Sequence, residues 1–536
     1  MKRHKKEVAT TIKGMSSSTK HRVTRRAFLG AVGVGSLALL AGRAAGQAQA
    51  QSAPAVIGGG PTRGGSLRIG ILANPTSLDP SPSNGELFVL RAIYDSLLTF
   101  DAQLNPQPGL AESWETPDER TVILRLRKGV KFHDGVDFDA EAVRINIEHT
   151  KDPATRTLFT ADFAPIDTVE PVDKNTVRLK LKGAAAPLFA SFGMQPGHMI
   201  SPAALKKYGK DAGRNPVGTG PFVFQEWVEQ DHVRLKRNPN YWDQGAIFLD
   251  EVVFRIVPDA SVRLANLKAG ELDYIVTLLF KDVAATRANK DFQLFRTWAG
   301  ADRFILNNSK PPFDKKPLRQ ALQLALDRAG MHRSIFFETG TIGYGPVHPP
   351  GGWAFYPNWK PFERDVEKAR AKLKEGGASD GYGFRILASD TINLQIAEAY
   401  QAMFAPLGIK VAIDKVDNAK RVADQISLNY QASLSTWQTT LDPSPALYTP
   451  YHSKGSGNYL KYANPRVDQL LEQAISTYDR AKRRTYYREV DQILAEDAPC
   501  IIPYHRARFD ATSSKVQGIK AKADPQLEVR GVWLSK

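Results

Sequence analysis

Cysteine is almost missing from this 536-residue sequence, and so are the short motifs that mark common enzymes. The single cysteine, Cys500, cannot form a disulfide within the chain, and its neighbours Pro499 and Ile501 predict a buried thiol. The sequence has no His-Glu-x-x-His, Gly-x-Ser-x-Gly, Cys-x-x-Cys or Walker phosphate-loop motif. These absences argue against the common hydrolase, zinc and nucleotide-binding classes, and we expect neither a metal nor another cofactor.

A hydrophobic run long enough to span a membrane is also missing. Residues 27–45 are rich in Gly and Ala, are interrupted by Arg43, and are too short for a permanent transmembrane helix. They overlap Thr24-Arg25-Arg26-Ala27-Phe28-Leu29, a pattern close to the twin-arginine export signal, and precede Ala48-Gln49-Ala50, which fits a cleavage site. We predict that residues 1–50 are a twin-arginine signal peptide. The alternative is a disordered basic tail.

The charge of the chain is concentrated in this leader. Residues 1–50 contain ten Lys and Arg and one acidic residue, so they supply +9 of the formal charge of +16 and leave +7 on the mature chain. The remaining excess is not clustered, which predicts no nucleic-acid partner. The cleavage site carries no cysteine that could receive a lipid, so we expect the mature protein to be free in the periplasm.

Hydrophobic periodicity predicts a mixed α/β protein. Residues 51–65 are rich in Gly, Pro and Ala and are predicted to be a flexible leader. A strand is predicted at 67–71 and a helix at 87–98. A strand at 252–257 followed by a helix at 261–269 is typical of a parallel sheet.

Residues 432–443 combine a short strand pattern with polar side chains around one tryptophan. Alternation places Ser433, Ser435 and Trp437 on one face, and Pro443 ends the strand. Two interpretations fit this pattern. Trp437 is either a core residue at the end of a strand or part of the floor of a ligand site.

Eight short motifs are distributed along nearly the whole mature chain. They lie at residues 110–114, 126–135, 216–222, 237–242, 258–261, 317–322, 451–453 and 495–499, and include Pro-Val-Gly-Thr-Gly-Pro-Phe at 216–222 and Arg-Asn-Pro-Asn-Tyr-Trp at 237–242. In sequence and order they resemble the motifs of the family 5 extracellular solute-binding proteins. Members of that family deliver dipeptides, oligopeptides, nickel chelates, opines and similar solutes to ABC importers.

The resemblance implies an α/β fold of two lobes, the periplasmic-binding-protein or Venus flytrap fold, with an extra domain inserted in the first lobe. It assigns residues 66–303 to lobe I, with the inserted small domain at about 101–215, and residues 304–504 to lobe II. Residues 505–536 are expected to return to lobe I. The strands that cross between the lobes are expected at 303–308 and 501–506.

The resemblance also implies a function, which is the binding of a solute in the cleft between the lobes and its delivery to an ABC permease, without catalysis. Peptide-binding relatives hold the ligand's amino group with an aspartate three residues after the tryptophan, where this sequence has Thr440. At positions where relatives carry basic residues for the ligand it has Leu387, Gln425 and Leu434. These departures remove charge. They favour a peptide-like molecule, an opine, or an amino-acid or sugar conjugate over a free dipeptide.

Six residues are predicted to bind the ligand. With the resemblance, Trp437 is predicted to be a wall of the pocket, with Thr440 beside it. Asp442 either takes over the amine or caps the turn before Pro443. The remaining three, each equally compatible with a turn or surface role, are Tyr344, Asn74 and Asn393.

Two other functions stay open from the sequence. One is a secreted hydrolase that uses Asp442 and His452, and the other is a binder of metal chelates that uses His452. A lone histidine is more often a hydrogen-bonded or surface residue than a metal ligand. The protein is expected to act as a monomer with a small-molecule or short peptide-like solute and an inner-membrane permease as its partners.

Overall fold

A computed structural model describes residues 60–82, 87–157, 159–346, 352–438, 440–520 and 527–536 of the chain. The predicted signal peptide, residues 1–50, lies outside these ranges, as does the predicted leader up to residue 59. Within the described ranges, no helix is both long and apolar enough to cross a membrane.

The first described strand belongs to the first half of a large sheet. Its first elements are β1 (Ser66–Ile71), α1 (Leu87–Ile93) and β2 (Leu98–Phe100). The prediction of a helix over 87–98 is wrong at its end, because the backbone turns to pair with a distant segment. Ser96 forms a β-bridge with His198, and the amide of Leu97 donates to the carbonyl of Gly197 over 3.1 Å.

A small antiparallel sheet with its own helices follows within residues 101–215. Its elements are β3 (Pro106–Pro108), β4 (Ala111–Asp118), β5 (Thr121–Leu126), α2 (Ala140–Lys151), α3 (Thr160–Phe163), β6 (Ile166–Asp173), β7 (Thr176–Leu181), α4 (Leu188–Phe192) and α5 (Pro202–Tyr208). Four strands pair in the order β4, β5, β7 and β6. The alternating residues Val122, Leu124 and Leu126 are buried in a separate hydrophobic core of this region.

The next segment returns to the large sheet. It contains β8 (Phe222–Val228), β9 (His232–Arg237), β10 (Glu251–Ile256), α6 (Ala260–Ala269), β11 (Tyr274–Ile275) and α7 (Phe280–Ala288). β1 pairs in parallel with β10, where Leu67 lies opposite Val252, and with β11. The parallel sheet predicted from the order of strand and helix is confirmed. Asp259 caps α6, and Gly270 ends it with a φ of +76°.

From Phe292 onward the chain builds the other end of the sheet. The elements are β12 (Phe292–Leu306), α8 (Lys316–Ala325), α9 (Arg328–Ser334), β13 (Thr341–Ile342), α10 (Val366–Glu375), β14 (Gly383–Ala388), α11 (Thr391–Phe404), β15 (Lys410–Lys415), α12 (Asn418–Ile426), β16 (Ala432–Gln438), α13 (Pro443–Tyr451), α14 (Pro465–Ile475), α15 (Arg480–Asp497), β17 (Cys500–Ser513), β18 (Val516–Gln517) and β19 (Trp533–Leu534). β14 pairs in parallel with both β15 and β16.

In the described part of the chain, eleven strands form one sheet. Their order is β15, β14, β16, β12, β17, β11, β1, β10, β9 and β8, and β13 pairs with β17. β12 and β17 are long antiparallel neighbours, paired from Phe292 and Ser513 at one end to Ile305 and Cys500 at the other. They join the two halves of the sheet and include most of the segments 303–308 and 501–506.

Each half of the sheet has its own hydrophobic core. Leu67, Ile69 and Phe254 pack in the first, and residues 527–536 contribute Leu527 and Val529 to it. The second core is formed between β12, β14 and the helices α8, α10 and α11, with buried residues that include Phe304, Leu322, Ile386 and Tyr400.

Cys500 is buried at the start of β17, as its apolar neighbours predict. It is 6% exposed. Burial raises the pKa of its thiol to about 11, so the thiol is protonated at neutral pH.

Candidate functional site

The carboxyl ends of the parallel strands β14, β15 and β16 lie at one edge of the second half of the sheet. β12 runs antiparallel to β16 and brings residues 300–303 to the same edge, and β17 brings residues 504–506. Open α/β sheets bind ligands outside the carboxyl ends of their strands. This edge, called the carboxyl edge below, is therefore the candidate site, with Trp437 near the end of β16.

Asp302 is a buried acidic group at the carboxyl edge. Its Oδ1 atom lies 2.7 Å from Nε of Arg506 and accepts a hydrogen bond from the hydroxyl of Thr436 over 3.0 Å. Arg506 also donates to Oδ1 of Asn393 over 3.5 Å. Burial raises the pKa of Asp302, although the charge of Arg506 opposes the shift. Asp302 and Arg506 thus form an ion pair between the two long strands.

Trp437 is half-buried, and one face of its ring is covered by an arginine. The guanidinium carbon of Arg303 lies 4.4 Å from the ring centroid, a cation–π contact. Arg303 also donates to the hydroxyl of Ser435 over 3.3 Å. Because Ala301 pairs with Trp437 and Arg303 pairs with Ser435 across the ladder, the strand pairing itself sets this arrangement.

Arg421 comes to the carboxyl edge from α12, the helix after β15. It is 8% exposed. Its three kinds of nitrogen donate to neutral oxygens, those of Ser389 (3.2 Å), Gln425 (2.9 Å) and Asn418 (2.7 Å). Gln425 in turn donates to the hydroxyl of Ser433 over 2.9 Å, which fixes α12 against β16.

A cavity of about 320 Å³ is lined in part by Leu441 and Asp442, which follow β16 in the chain. One wall comes from residues of the segment 66–303, among them Phe100, Trp114 and Phe189, and the other from the segment 304–504, among them Leu441 and Arg480. This volume is within the range of small-molecule sites, and the mixture of aromatic rings and a few polar groups is typical of them. The cavity therefore joins the two predicted lobes.

Asp442 lies in the wall of this cavity, where it caps α13. Of the two roles that the sequence left open, the structure shows a cap, since its Oδ1 accepts from the amide of Ser444 over 2.9 Å. The same oxygen lies 2.6 Å from a guanidinium nitrogen of Arg483, which also donates to the hydroxyl of Tyr487. Burial alone would raise the pKa of Asp442, but the charge and hydrogen bond of Arg483 lower it below the usual value. The hydroxyl of Thr440 donates to the carbonyl of Asp442.

The other three predicted ligand residues lie in different places. Asn393 is buried at the start of α11 and reaches the carboxyl edge through Arg506. Tyr344 lines a second cavity of about 300 Å³ and packs edge-on against Phe362 at 5.6 Å. Asn74 accepts hydrogen bonds from the indole of Trp227 (3.0 Å) and from a backbone amide in the β8–β9 hairpin. The structure thus brings Trp437 and Asn393 to one edge and Thr440 and Asp442 to the adjoining loop.

His452 is separated from Asp442 by the length of α13, which ends at Tyr451. The ten residue steps from Asp442 to His452 extend about 15 Å along a helix, so these two side chains do not share a proton as a catalytic pair would. The ring of His452 is buried and lies 3.2 Å from Oε1 of Glu472. Among the residues that the structure describes, no group of three His, Cys, Asp or Glu side chains is arranged to hold a metal ion.

Sequence reasoning missed the arginines of the site, Arg303, Arg421 and Arg506. The losses of charge at Leu387, Gln425 and Leu434 suggested a site poor in cations. One signal was available, because Arg303 begins a predicted crossing strand, after Asp302 and before the apolar residues 304–306, where a charged side chain needs a partner or a ligand. The same signal was available for Arg506, which ends the predicted crossing strand at 501–506. Arg421 gave no such signal, since its position follows from the packing of α12.

The fold and this edge define an α/β binding protein, and comparison with known proteins identifies its family. A sequence model described as bacterial extracellular solute-binding proteins, family 5, middle, matches residues 105–458. The glutathione-binding protein GsiB of Pectobacterium atrosepticum is 31% identical over 465 residues, which cover 84% of this chain and 90% of that protein. The chain belongs to the family 5 solute-binding proteins, and its role is to bind a substrate.

Solved structures agree with this assignment. The periplasmic binding protein DppA from Helicobacter pylori, in complex with the peptide STSA, aligns with a TM-score of 0.77 and 27% identity, over 89% of this chain and 99% of its own. AgaA from A. tumefaciens R10, in complex with agropinic acid, aligns with a TM-score of 0.75 and 26% identity, over 88% and 99%. The predicted two-lobed periplasmic-binding-protein fold is confirmed. These relatives are binding proteins, which agrees with a function other than catalysis.

Proposed function

We propose that the protein is the periplasmic receptor of an ABC importer and that it binds an organic solute between its two lobes. The observation that carries this proposal is the cavity of about 320 Å³, whose walls come from both the segment 66–303 and the segment 304–504. Leu441, the residue after Thr440, lines it. A ligand that contacts both walls stabilises the closed form, because it binds that form more tightly than the open one. The permease then recognises the closed form.

The solute class is a peptide-like molecule, an opine, or an amino-acid or sugar conjugate. Relatives named for glutathione or crystallised with agropinic acid and a peptide support this range. The two buried aspartates near the site, Asp302 and Asp442, are each paired with an arginine. Neither is free to accept a ligand ammonium as a full ion pair, which argues against a dipeptide held by its amino end.

In this proposal Trp437, Thr440 and Asp442 lie along the ligand, and Asn393 supports the edge through Arg506. Ligand contacts by Tyr344 and Asn74 stay predictions, as do export by the twin-arginine route, a monomeric state and the absence of a nucleic-acid partner. None of the contacts described above favours the metal-chelate binder or the hydrolase.

A thermal-shift screen of the mature chain tests the proposal. Glutathione, agropinic acid, the peptide Ser-Thr-Ser-Ala, dipeptides and sugar conjugates are each added in excess, and a bound solute at a hundredfold excess over its Kd adds about 2.7 kcal/mol to the free energy of unfolding. The hit is then incubated with the protein and recovered. Stabilisation with the solute recovered intact supports a receptor. Absence of stabilisation by every solute, or conversion of the solute, contradicts it.

A further inference from the structure

Arg303 and Arg421 lie close together at the carboxyl edge, connected through side chains of β16. Arg303 donates to Ser435 on this strand, and Arg421 is linked to Ser433 through Gln425. Residues two apart on a strand point to the same face. Arg421 also donates to Ser389, which follows β14, the strand beside β16. Both guanidinium groups are therefore held on one face of neighbouring strands.

Arg303 uses few of its hydrogen-bond donors within the protein. A guanidinium carries five N–H groups, and among the described residues the acceptor found for Arg303 is the hydroxyl of Ser435. Its Nε atom is buried and, in the same residues, has no hydrogen-bond partner. No carboxylate oxygen of the described chain lies within 4.0 Å of its nitrogens. A buried donor left without an acceptor is unfavourable unless a ligand supplies one.

Arg421 has neutral partners alone in the part of the chain that the structure describes, which are Ser389, Gln425 and Asn418. Burial lowers the pKa of Arg421, and the positive charge of Arg303 lowers it further. The negative charge of Asp390 acts in the opposite direction and raises the pKa of Arg421. Two like charges in a partly buried place each disfavour the charged form of the other, unless an anion lies between them.

The nearby acids do not neutralise this pair. Asp302 is paired with Arg506. Asp390 caps α11 and accepts from both the backbone amide (2.8 Å) and the side-chain amide of Asn393. Three arginines and two aspartates leave one positive charge at the carboxyl edge.

We infer that Arg303 and Arg421 together bind an oxyanion of the transported solute, with Trp437 holding the guanidinium of Arg303 flat against its ring. This inference deepens the proposed function and rests on it. A carboxylate and a phosphate both match the planar N–H pattern of guanidinium groups. The solute is accordingly an acidic molecule whose anionic group lies on β12 and α12, with its remaining atoms extending along Trp437.

The test uses the mature protein and its Arg303→Gln, Arg421→Gln and double variants. Arg385→Gln is the matched control, because Arg385 is an exposed arginine of the same lobe that is paired with Asp414. The probes are glutathione, agropinic acid and Ser-Thr-Ser-Ala, each as the free acid and with its carboxylates converted to amides, and inorganic phosphate. Calorimetry gives each affinity, and thermal unfolding without ligand reports whether each variant folds.

We expect a free acid to bind the wild type at least tenfold more tightly than its amide, with this preference lost in the double variant and kept in Arg385→Gln. A preference for free acids identifies a carboxylate, whereas binding of phosphate alone identifies a phosphate-bearing solute. An unchanged preference in the double variant, or a wild type that binds neither acids nor phosphate, overturns the inference. If the wild type binds the amides but shows no preference for the acids, the inference fails while the proposed function stands. If the wild type binds none of the acids, the amides or phosphate, the proposed function is overturned together with the inference.

Discussion

Arg483 and Arg421 are both almost fully buried in the second half of the chain, at 3% and 8% exposure, yet their partners differ in charge. Arg483 lies 2.6 Å from the carboxylate of Asp442 and also contacts two hydroxyls. Arg421 contacts a hydroxyl and two amide oxygens, and its charged neighbour Arg303 repels it. The first charge is neutralised by the fold, and the second is left for a molecule from outside.

This difference separates a structural ion pair from a binding group. Moving an ion out of water costs several kcal/mol, and a paired counter-ion offsets part of that cost. Asp442 also caps α13, so the Asp442–Arg483 pair fixes the start of this helix and the wall of the cavity. Among the described residues, the direct partners of Arg421 are neutral, and the charge of Asp390 offsets its burial only in part. The comparison can be tested by removing each charge in turn.

Replacing Arg483 by methionine should have the largest effect on stability. The change leaves the carboxylate of Asp442 buried without a counter-ion, and breaking a buried pair in this way costs about 3–5 kcal/mol. Urea denaturation of Arg483→Met and of the wild type measures the loss. Arg144→Met is the control, because Arg144 pairs with Glu141 and Glu148 on an exposed helix face. A loss for Arg483→Met no larger than for the control would contradict a structural role for the pair.

The same pair should govern part of the stability in acid. The pKa of Asp442 is lower in the folded protein than in the unfolded chain, so its contribution is present above the unfolded pKa, about 3.9, and is lost as the pH falls through the folded pKa. The free energy of unfolding of Asp442→Asn should therefore fall less steeply than that of the wild type below this pH.

Asp302 provides the opposite case and serves as the control. Burial raises its pKa, so its protonated form favours folding at low pH, and this contribution is lost as the pH rises through the folded pKa. Asp302→Asn should gain stability relative to the wild type as the pH increases from acid to neutral. Unfolding curves for both variants between about pH 2 and pH 7 give the two slopes, that of Asp442→Asn below the unfolded pKa and that of Asp302→Asn above it. Slopes of the same sign would show that the two pairs do not differ as described.

Much of the fold follows from local sequence signals, whereas the charged site does not. The alternation around Trp437 predicts the strand β16, and Asp442 before Pro443 predicts a cap, because both depend on residues close together in the chain. The predicted end of the helix α1 is wrong, because Ser96 pairs with His198, a residue far along the sequence.

Contacts between distant residues explain why the arginines were missed. Among the described residues, Arg303 reaches β16 through Ser435, and Arg421 reaches it through Gln425 of α12. Asp442 meets Arg483 from a different helix. The spacing of these residues in the sequence does not predict these contacts. The family motifs supplied the overall fold, but they mark the scaffold and leave the charge of the ligand site undetermined.

Replacing Trp437 by alanine should weaken solute binding by more than about 1 kcal/mol. The change removes a wall of the site and releases Arg303, whose guanidinium stacks on the ring. Calorimetry with the solute found by screening measures the loss. Trp242→Ala is the matched control, because Trp242 also carries a stacked arginine, Arg127 at 4.2 Å, but lies between β9 and β10 in the first half of the sheet. Equal affinities for the wild type and Trp437→Ala would remove Trp437 from the site.

Replacing Arg421 by glutamine should have the smallest effect on the protein without ligand, a change of less than about 1 kcal/mol in the free energy of unfolding. The variant loses hydrogen bonds to neutral groups, but it also loses a buried charge and its repulsion by Arg303, and these contributions oppose each other. Added salt screens that repulsion, so it should stabilise the wild type slightly more than the variant. Urea denaturation at low and high salt measures both differences. A loss comparable to that of Arg483→Met would place Arg421 with the structural ion pairs and remove the distinction between the two arginines.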